Sequence, residues 1–259
     1  MKTKKIKVIC FYWQGERWQE DGMNYDSLDL TDQAYIKHLK RSSPIDRKTV
    51  EHYINNLYKG VEKWSVHPFD FICFSNDDLK LDKEIELKPF ELVTTRGVLP
   101  RMWMFSEAAG LFGHQVLSLD IDVIITGSLK DIMNYNGNYC TRVSWQKASM
   151  GKLDGDIMSF KAGTETEAMF WTPLIENIKK AEKFTQGRER MWIRKVTEGI
   201  ADTWSKIAPN QVVGYKRHVR KYGTLPDQAR IVSCHGHPRP HEIDQQWRIN
   251  NWKNEKRFN

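Results

Sequence analysis

Short apolar runs alternate along the chain with stretches in which apolar side chains recur every three or four positions. The first kind, at residues 6–12 (IKVICFY), 69–74 (FDFICF) and 115–125 (QVLSLDIDVII), predicts β-strands. The second predicts a helix over 46–64, where Val50, Tyr53, Ile54, Leu57 and Val61 fall on one face. Strand, helix and strand in that order make a βαβ unit, and the alternation predicts an α/β domain with a mainly parallel central sheet. Further along, the pattern predicts a helix over 99–112, a shorter strand over 155–160, helices over 166–184 and 191–207, and a last strand over 229–233. A polar insertion, 14–44, separates the first strand from the first helix. Residues 1–244 read as one domain. The polar, basic stretch 245–259, with Trp247 and Trp252 inside it, reads as a tail that docks by its tryptophans or frays.

Composition narrows this picture. At 259 residues and 40% hydrophobic, the chain can bury one sizeable core and is too apolar for disorder. No apolar run approaches the roughly 20 residues of a membrane helix. The basic start runs into an apolar stretch that breaks at Gln14 without a small-residue cleavage site, which fits a first strand better than a leader. Cys10, Cys73, Cys140 and Cys234 are dispersed, so neither a disulfide framework nor a paired zinc motif is expected, and the compartment is read as reducing and cytoplasmic. A net charge of +7 suggests an anionic partner, whether nucleotide, nucleic acid or membrane surface.

The chemistry concentrates in 116–125. Strand alternation would put Leu117, Leu119, Ile121 and Val123 on one face and Asp120 with Asp122 on the other. Burying two unpaired carboxylates is costly, so a cation is expected beside them. A hard divalent ion, Mn²⁺ or Mg²⁺, suits oxygen ligands, while compensating arginines or strand-end solvation are the plainer alternatives. Ligands of open α/β sheets gather at the carboxyl ends of strands, where this pair is expected, and Gly127 permits a sharp exit. Near the other end of the chain His235, His237 and His241 fall within seven residues after an apolar strand. They could form a loop stiffened by Pro238 and Pro240, return a ligand to the metal, or join Cys234 in a zinc site.

Thr94-Thr95-Arg96 through Arg101, then Leu119-Asp120-Ile121-Asp122 and Gly127-Ser128-Leu129, then His235-Gly236-His237-Pro238-Arg239-Pro240, resemble in order the motifs of GT-A glycosyltransferases. The likeness is to the family that includes glycogenin and the bacterial lipopolysaccharide galactosyltransferases, with bacterial and phage relatives, and it runs over about 6–241. It implies a GT-A, Rossmann-like single domain that moves a sugar from a nucleotide-sugar donor, a UDP-sugar first of all, with retention of configuration. By the same resemblance Asp120, Asp122 and His235 would hold the metal. Arg101, Arg239 and the strand end Phe11, Tyr12 and Trp13, together with Asp120, would meet the nucleotide. Asp154 and Asp156, in a segment similar to the family's Asn-x-Gly, and Glu189, after Gly187-Arg188, are the catalytic candidates on the acceptor side. The chain departs from the family at Cys234, Arg239, His241, Asp154 and Arg188. The acceptor is left open among a glycan, a lipid-linked sugar and modified nucleic acid.

Two other classes fit parts of the same pattern. Carboxylates at an α/β strand end also serve nucleotidyl transfer and phosphate hydrolysis, although no GxxxxGK[ST] loop is present. The basic run Lys216, Arg217, His218, Arg220 and Lys221 could hold an anionic acceptor such as a phosphorylated glycan or nucleic acid, or simply be solvated.

Overall fold

The computed structural model describes residues 5–13, 46–94, 97–145 and 150–252. The insertion predicted over 14–44, Thr95, Arg96 and the end of the tail lie outside them. Among the described residues the strands are β1 (Ile6–Phe11), β2 (Phe69–Phe74), β3 (Ile85–Lys88), β4 (Gln115–Leu119), β5 (Val123–Ile125), β6 (Tyr139–Val143), β7 (Leu153–Lys161), β8 (Asp202–Thr203), β9 (Val212–Gly214) and β10 (Ile231–Ser233). The main helices are α1 (Arg47–Trp64), α2 (Ile178–Thr185) and α3 (Glu189–Val196). Seven strands form one sheet in the order β3-β2-β1-β4-β7-β6-β8, and β5-β10-β9 form a second. In the large sheet β7 runs antiparallel to both β4 and β6, and the other pairings are parallel. No helix among the described residues is long and apolar enough to cross a membrane.

The period of two along each strand sorts side chains onto two faces. Val8, Cys10, Phe71, Cys73, Leu117 and Leu119 join Val50, Ile54, Leu57 and Val61 of α1 in one core layer. Ile9, Phe11, Ile72, Phe74 and Val116 join Leu99, Met102, Phe105 and Trp192 in the other. Asp46 caps α1, its carboxylate accepting from Thr49 N at 2.9 Å. Gly60 lets the helix lie against β5, since a Cβ there would stand 3.0 Å from Ile125 Cβ.

Several predicted boundaries change. The stretch 115–125 is two strands in two different sheets, with a turn at Asp120, Ile121 and Asp122. The chain leaves one sheet for the other at that point. The pair therefore does not lie on one face of a continuous strand. Instead of a helix over 99–112 there is a 3-10 segment, Leu99–Phe105, and a short turn, Glu107–Ala109. The Ser106 hydroxyl bonds back to Trp103 O at 2.8 Å at the break. The helix predicted over 166–184 is interrupted after Ile175, and α2 restarts at an Asn177 cap. The one predicted over 191–207 ends at Val196, and the short strand β8 follows. Gln246–Asn251 is helical, and Trp252 is buried with its ring 5.1 Å from that of Tyr53 on α1.

Candidate active site

The turn after β4 lies at the seam between the two sheets. Asp120 N still donates to Asp156 O on β7, at 2.9 Å, whereas Asp122 O accepts from Cys234 N, just past β10, at 3.2 Å. The motif is thus pinned from both sides by main-chain bonds. β1 pairs with β4 so that Ile9 faces Ser118, and continuing that register brings Phe11 level with Asp120. Tyr12 N bonds Phe74 O at 3.0 Å, and the Trp13 ring packs on Phe90 at 5.7 Å. The aromatic strand end proposed for the nucleotide base therefore stands beside the carboxylates.

Arg101 comes up from the buried 3-10 segment. Its Nη1 lies 2.5 Å from Asp120 Oδ1 and 3.7 Å from Glu189 Oε1, and Nη2 donates to Ser118 Oγ at 3.3 Å. It is 5% exposed, so it supports Asp120 from inside the protein and is no surface helix charge. Glu189 opens α3 and is buried under β7, where Gly155 makes room for it. A Cβ at Gly155 would come within 2.9 Å of Ile193 Cδ1 and 3.2 Å of Glu189 Oε1.

A second arginine, which the sequence pattern did not single out, organises the Asp154–Asp156 side of the seam. Arg142 on β6 faces Asp154 on β7, and its Nη2 lies 3.2 Å from Asp154 Oδ2. Its Nε bonds Asp156, whose other oxygen accepts from Ser233 Oγ at 2.6 Å. Arg142 also lies over the Trp145 ring, 4.1 Å from its centroid. The available signal was a lone arginine in the apolar run YCTRV, a stretch too short to read as a strand by periodicity.

Five carboxylates, Asp120, Asp122, Asp154, Asp156 and Glu189, thus share this seam with two buried arginines, Arg101 and Arg142. The imbalance shows in the protonation equilibria. Burial, followed by the neighbouring charges of Asp120 and Asp156, pushes Asp122 up to about 7. Burial likewise raises Glu189 to about 7, against the pull of Arg101. Asp120 rises to about 6 through burial, held back by Arg101. Asp156 moves the other way, because Arg142 and Ser233 outweigh its burial. Asp122 Oδ1 is buried and has no hydrogen-bond partner among the described residues.

The three expected metal ligands are not gathered into one cluster. Among the described residues no group of three or more His, Cys, Asp or Glu stands close enough to hold an ion. Asp120 is taken by Arg101, and His235 Nδ1 lies 3.4 Å from Ser233 Oγ, on the Asp156 side. Of the three loop histidines only His235 turns to the seam. His237 meets Glu242 at 3.1 Å, and His241 Nδ1 lies 2.5 Å from the Tyr53 hydroxyl, tying the loop to α1. Burial holds the Cys234 thiol well above its ordinary value, so in the metal-free protein it is a neutral core side chain. Arg239 stands close enough to Asp122 to favour its charged form. Lys216, in the turn after β9, reaches the His235 loop, where a Cβ on Gly236 (φ 70°) would meet its Nζ at 3.0 Å.

No family model matches the chain, and no curated protein is significantly similar to it. Solved structures are. The glycosyltransferase GlyE of Streptococcus pneumoniae TIGR4 superposes with a TM-score of 0.60 at 14% identity, over 96% of this chain and 59% of that one. The chain therefore spans less than two thirds of GlyE. The galactosyltransferase LgtC, in complex with donor and acceptor sugar analogues, matches with a TM-score of 0.59 at 8% identity, over 97% of this chain and 98% of that one. The bifunctional glycosyltransferase WbbM matches at 0.51 and 9% identity. Over nearly its whole described length, the chain has the GT-A-type α/β fold found in these glycosyltransferases.

Proposed function

We propose that the protein is a divalent-metal-dependent glycosyltransferase that moves a sugar from a UDP-sugar to an acceptor hydroxyl with retention of configuration. The observation that carries this reading is the Asp120–Asp122 turn. It lies at the carboxyl end of a central strand on a glycosyltransferase-type fold, and there Asp122 keeps an oxygen without a hydrogen-bond partner among the described residues, beside two neighbouring carboxylates. The orphaned Asp122 Oδ1 and the oxygen-rich donor set fit Mn²⁺ or Mg²⁺, with Asp120 and Asp122 as carboxylate ligands and His235 as the third. When bound, such an ion supplies Lewis-acid stabilisation of the departing diphosphate.

The protein's own groups divide the remaining work. Tyr12 and Trp13, just past the end of β1, would meet the base, with Phe11 buried in the core behind Trp13. Arg239 brings positive charge to the side of the turn where the leaving diphosphate develops negative charge. Arg101 is a positioning residue that fixes the rotamer of Asp120 from within. Arg142 and Ser233 keep Asp156 ionised and oriented, which leaves Glu189 and Asp154 to meet the reacting sugar and the acceptor hydroxyl.

Thermal unfolding with UDP tests the reading. UDP with Mn²⁺ should raise Tm well beyond either alone, EDTA should cancel the gain, and Asp122→Asn should lose most of it. Equal stabilisation by UDP in EDTA, or in the variant, contradicts the assignment.

A further inference from the structure

The chain's positive charge is not spread evenly. Residues 186–222 hold nine Lys and Arg against three Asp and Glu, a surplus of six in a chain whose net charge is +7. One of those three acids, Glu189, is turned inward beneath Gly155, so the outward face of the segment is more basic still.

The fold delivers this charge to two places beside the acceptor-side carboxylates. The first is α3, with Arg188 at its N-cap, Arg190 in its first turn and Arg194 in its last. Arg194 Nε donates to Leu153 O at 2.6 Å, next to Asp154, while its Nη2 has no partner among the described residues. The second is the turn after β9. Gly214 pairs with Ser233, whose hydroxyl holds Asp156, and Lys216 and Arg217 follow at once as exposed side chains. Arg142 links the two places. It pairs with Asp154 and Asp156, and it stacks on Trp145, whose ring packs against Gly214 and meets His218 edge-on at 5.1 Å. Arg142 itself is already paired. Among the described residues none of Arg188, Arg190, Arg194, Lys216 and Arg217 forms an ion pair.

Cations so close together repel one another: after burial, and against the pull of Asp154, Arg190, Arg142 and Arg188 lower the proton affinity of Arg194. A solvated surface would scatter such charges or pair them. Resting on the transferase reading above, we infer that the acceptor is a phosphate-bearing saccharide whose anionic group is received between the α3 arginines and the Lys216–Arg217 turn. Guanidinium forks suit phosphate oxygens in bidentate fashion. A nucleic-acid strand fits less well, because it needs a continuous basic track with open rings for its bases. The nearest exposed rings, Phe184 and Tyr222, lie under the protein's own Lys195 and Lys221.

The test measures binding to the full chain held in saturating UDP and Mn²⁺. The probes are mannose, mannose 6-phosphate, inorganic phosphate and a short single-stranded DNA. Mannose 6-phosphate should bind about ten-fold or more tighter than mannose and tighter than inorganic phosphate, and the advantage should shrink as salt rises. The double variant Arg190→Gln, Arg217→Gln should lose about ten-fold of that affinity while UDP binding stays as in the wild type. Equal binding of mannose and its phosphate overturns the inference, and so does a variant that binds like the wild type. Inorganic phosphate binding as tightly as the sugar phosphate would reduce the site to a non-selective anion patch, and tighter binding of the DNA would replace the saccharide by nucleic acid. Loss of UDP binding in the wild type would instead strike the transferase reading, leaving the sugar-phosphate comparison to stand on its own result.

Discussion

At the scale of single residues the site stores electrostatic strain that a bound cation would relieve. Asp122 is half-buried beside Asp120 and Asp156, with one buried oxygen unpartnered among the described residues, and its proton affinity is raised accordingly. Asp122→Asn should therefore stabilise the metal-free protein above neutral pH, by about 1–3 kcal/mol once relaxation and partial solvent access are allowed for. The same change should cut transfer by roughly 100-fold or more. Chemical denaturation at pH 8 in EDTA reads the first effect, and an unchanged or lowered stability would contradict it. Glu189 gives a pH signature. Its folded-state pKa, about 7, lies above its ordinary value of 4.5, so the folded state holds the proton longer than the unfolded chain. Its stabilising contribution is full below about pH 4.5 and is lost as pH rises through about 7. Tm of the metal-free wild type should fall over that window, and Glu189→Gln should flatten the fall. Parallel curves for the two proteins would show that Glu189 is not the group responsible.

At the scale of elements, α3 reaches the site because β7 has no side chain at Gly155. Gly155→Ala would place a Cβ 2.9 Å from Ile193 Cδ1 and 3.2 Å from Glu189 Oε1. It should cost about 1–2 kcal/mol of stability and lower activity together with it, as measured by urea unfolding and UDP release. A fully active, fully stable variant would mean that α3 need not sit so close. The elements whose patterns were unmixed could be read from the sequence. β1 and β2 are buried runs, and α1 has one apolar face and a capping aspartate. Leu99–Phe105 could not, because all seven of its residues are buried and no polar face marks its period. The stretch 115–125 misled for the opposite reason. Its apolar residues continue through a change of sheet, and only the long-range pairing of β5 with β10 shows that the strand has ended.

At the scale of the whole molecule, the site is a seam between two sheets, and that explains which of its parts were legible. Asp120, Asp122 and the His235 loop carry local motifs, and both borders of the seam are built from them. Arg142 and Ser233 carry none. Their roles come from the β6–β7 register and from the hydroxyl reaching across to Asp156, contacts between residues far apart in the chain. The concentration of positive charge in 186–222 was present in the sequence, but its meaning depends on the fold that brings α3 and the β9 turn to the same carboxylates. The central claim is that the Asp120–Asp122 turn receives a divalent ion and the diphosphate of a nucleotide sugar. It is tested most directly by the anomalous scattering of manganese in crystals grown with UDP and Mn²⁺. A single peak within ligand distance of the carboxylates of Asp120 and Asp122, with the diphosphate density touching it, is the result expected. Diphosphate density elsewhere on the protein, or no manganese between those two side chains, would contradict it.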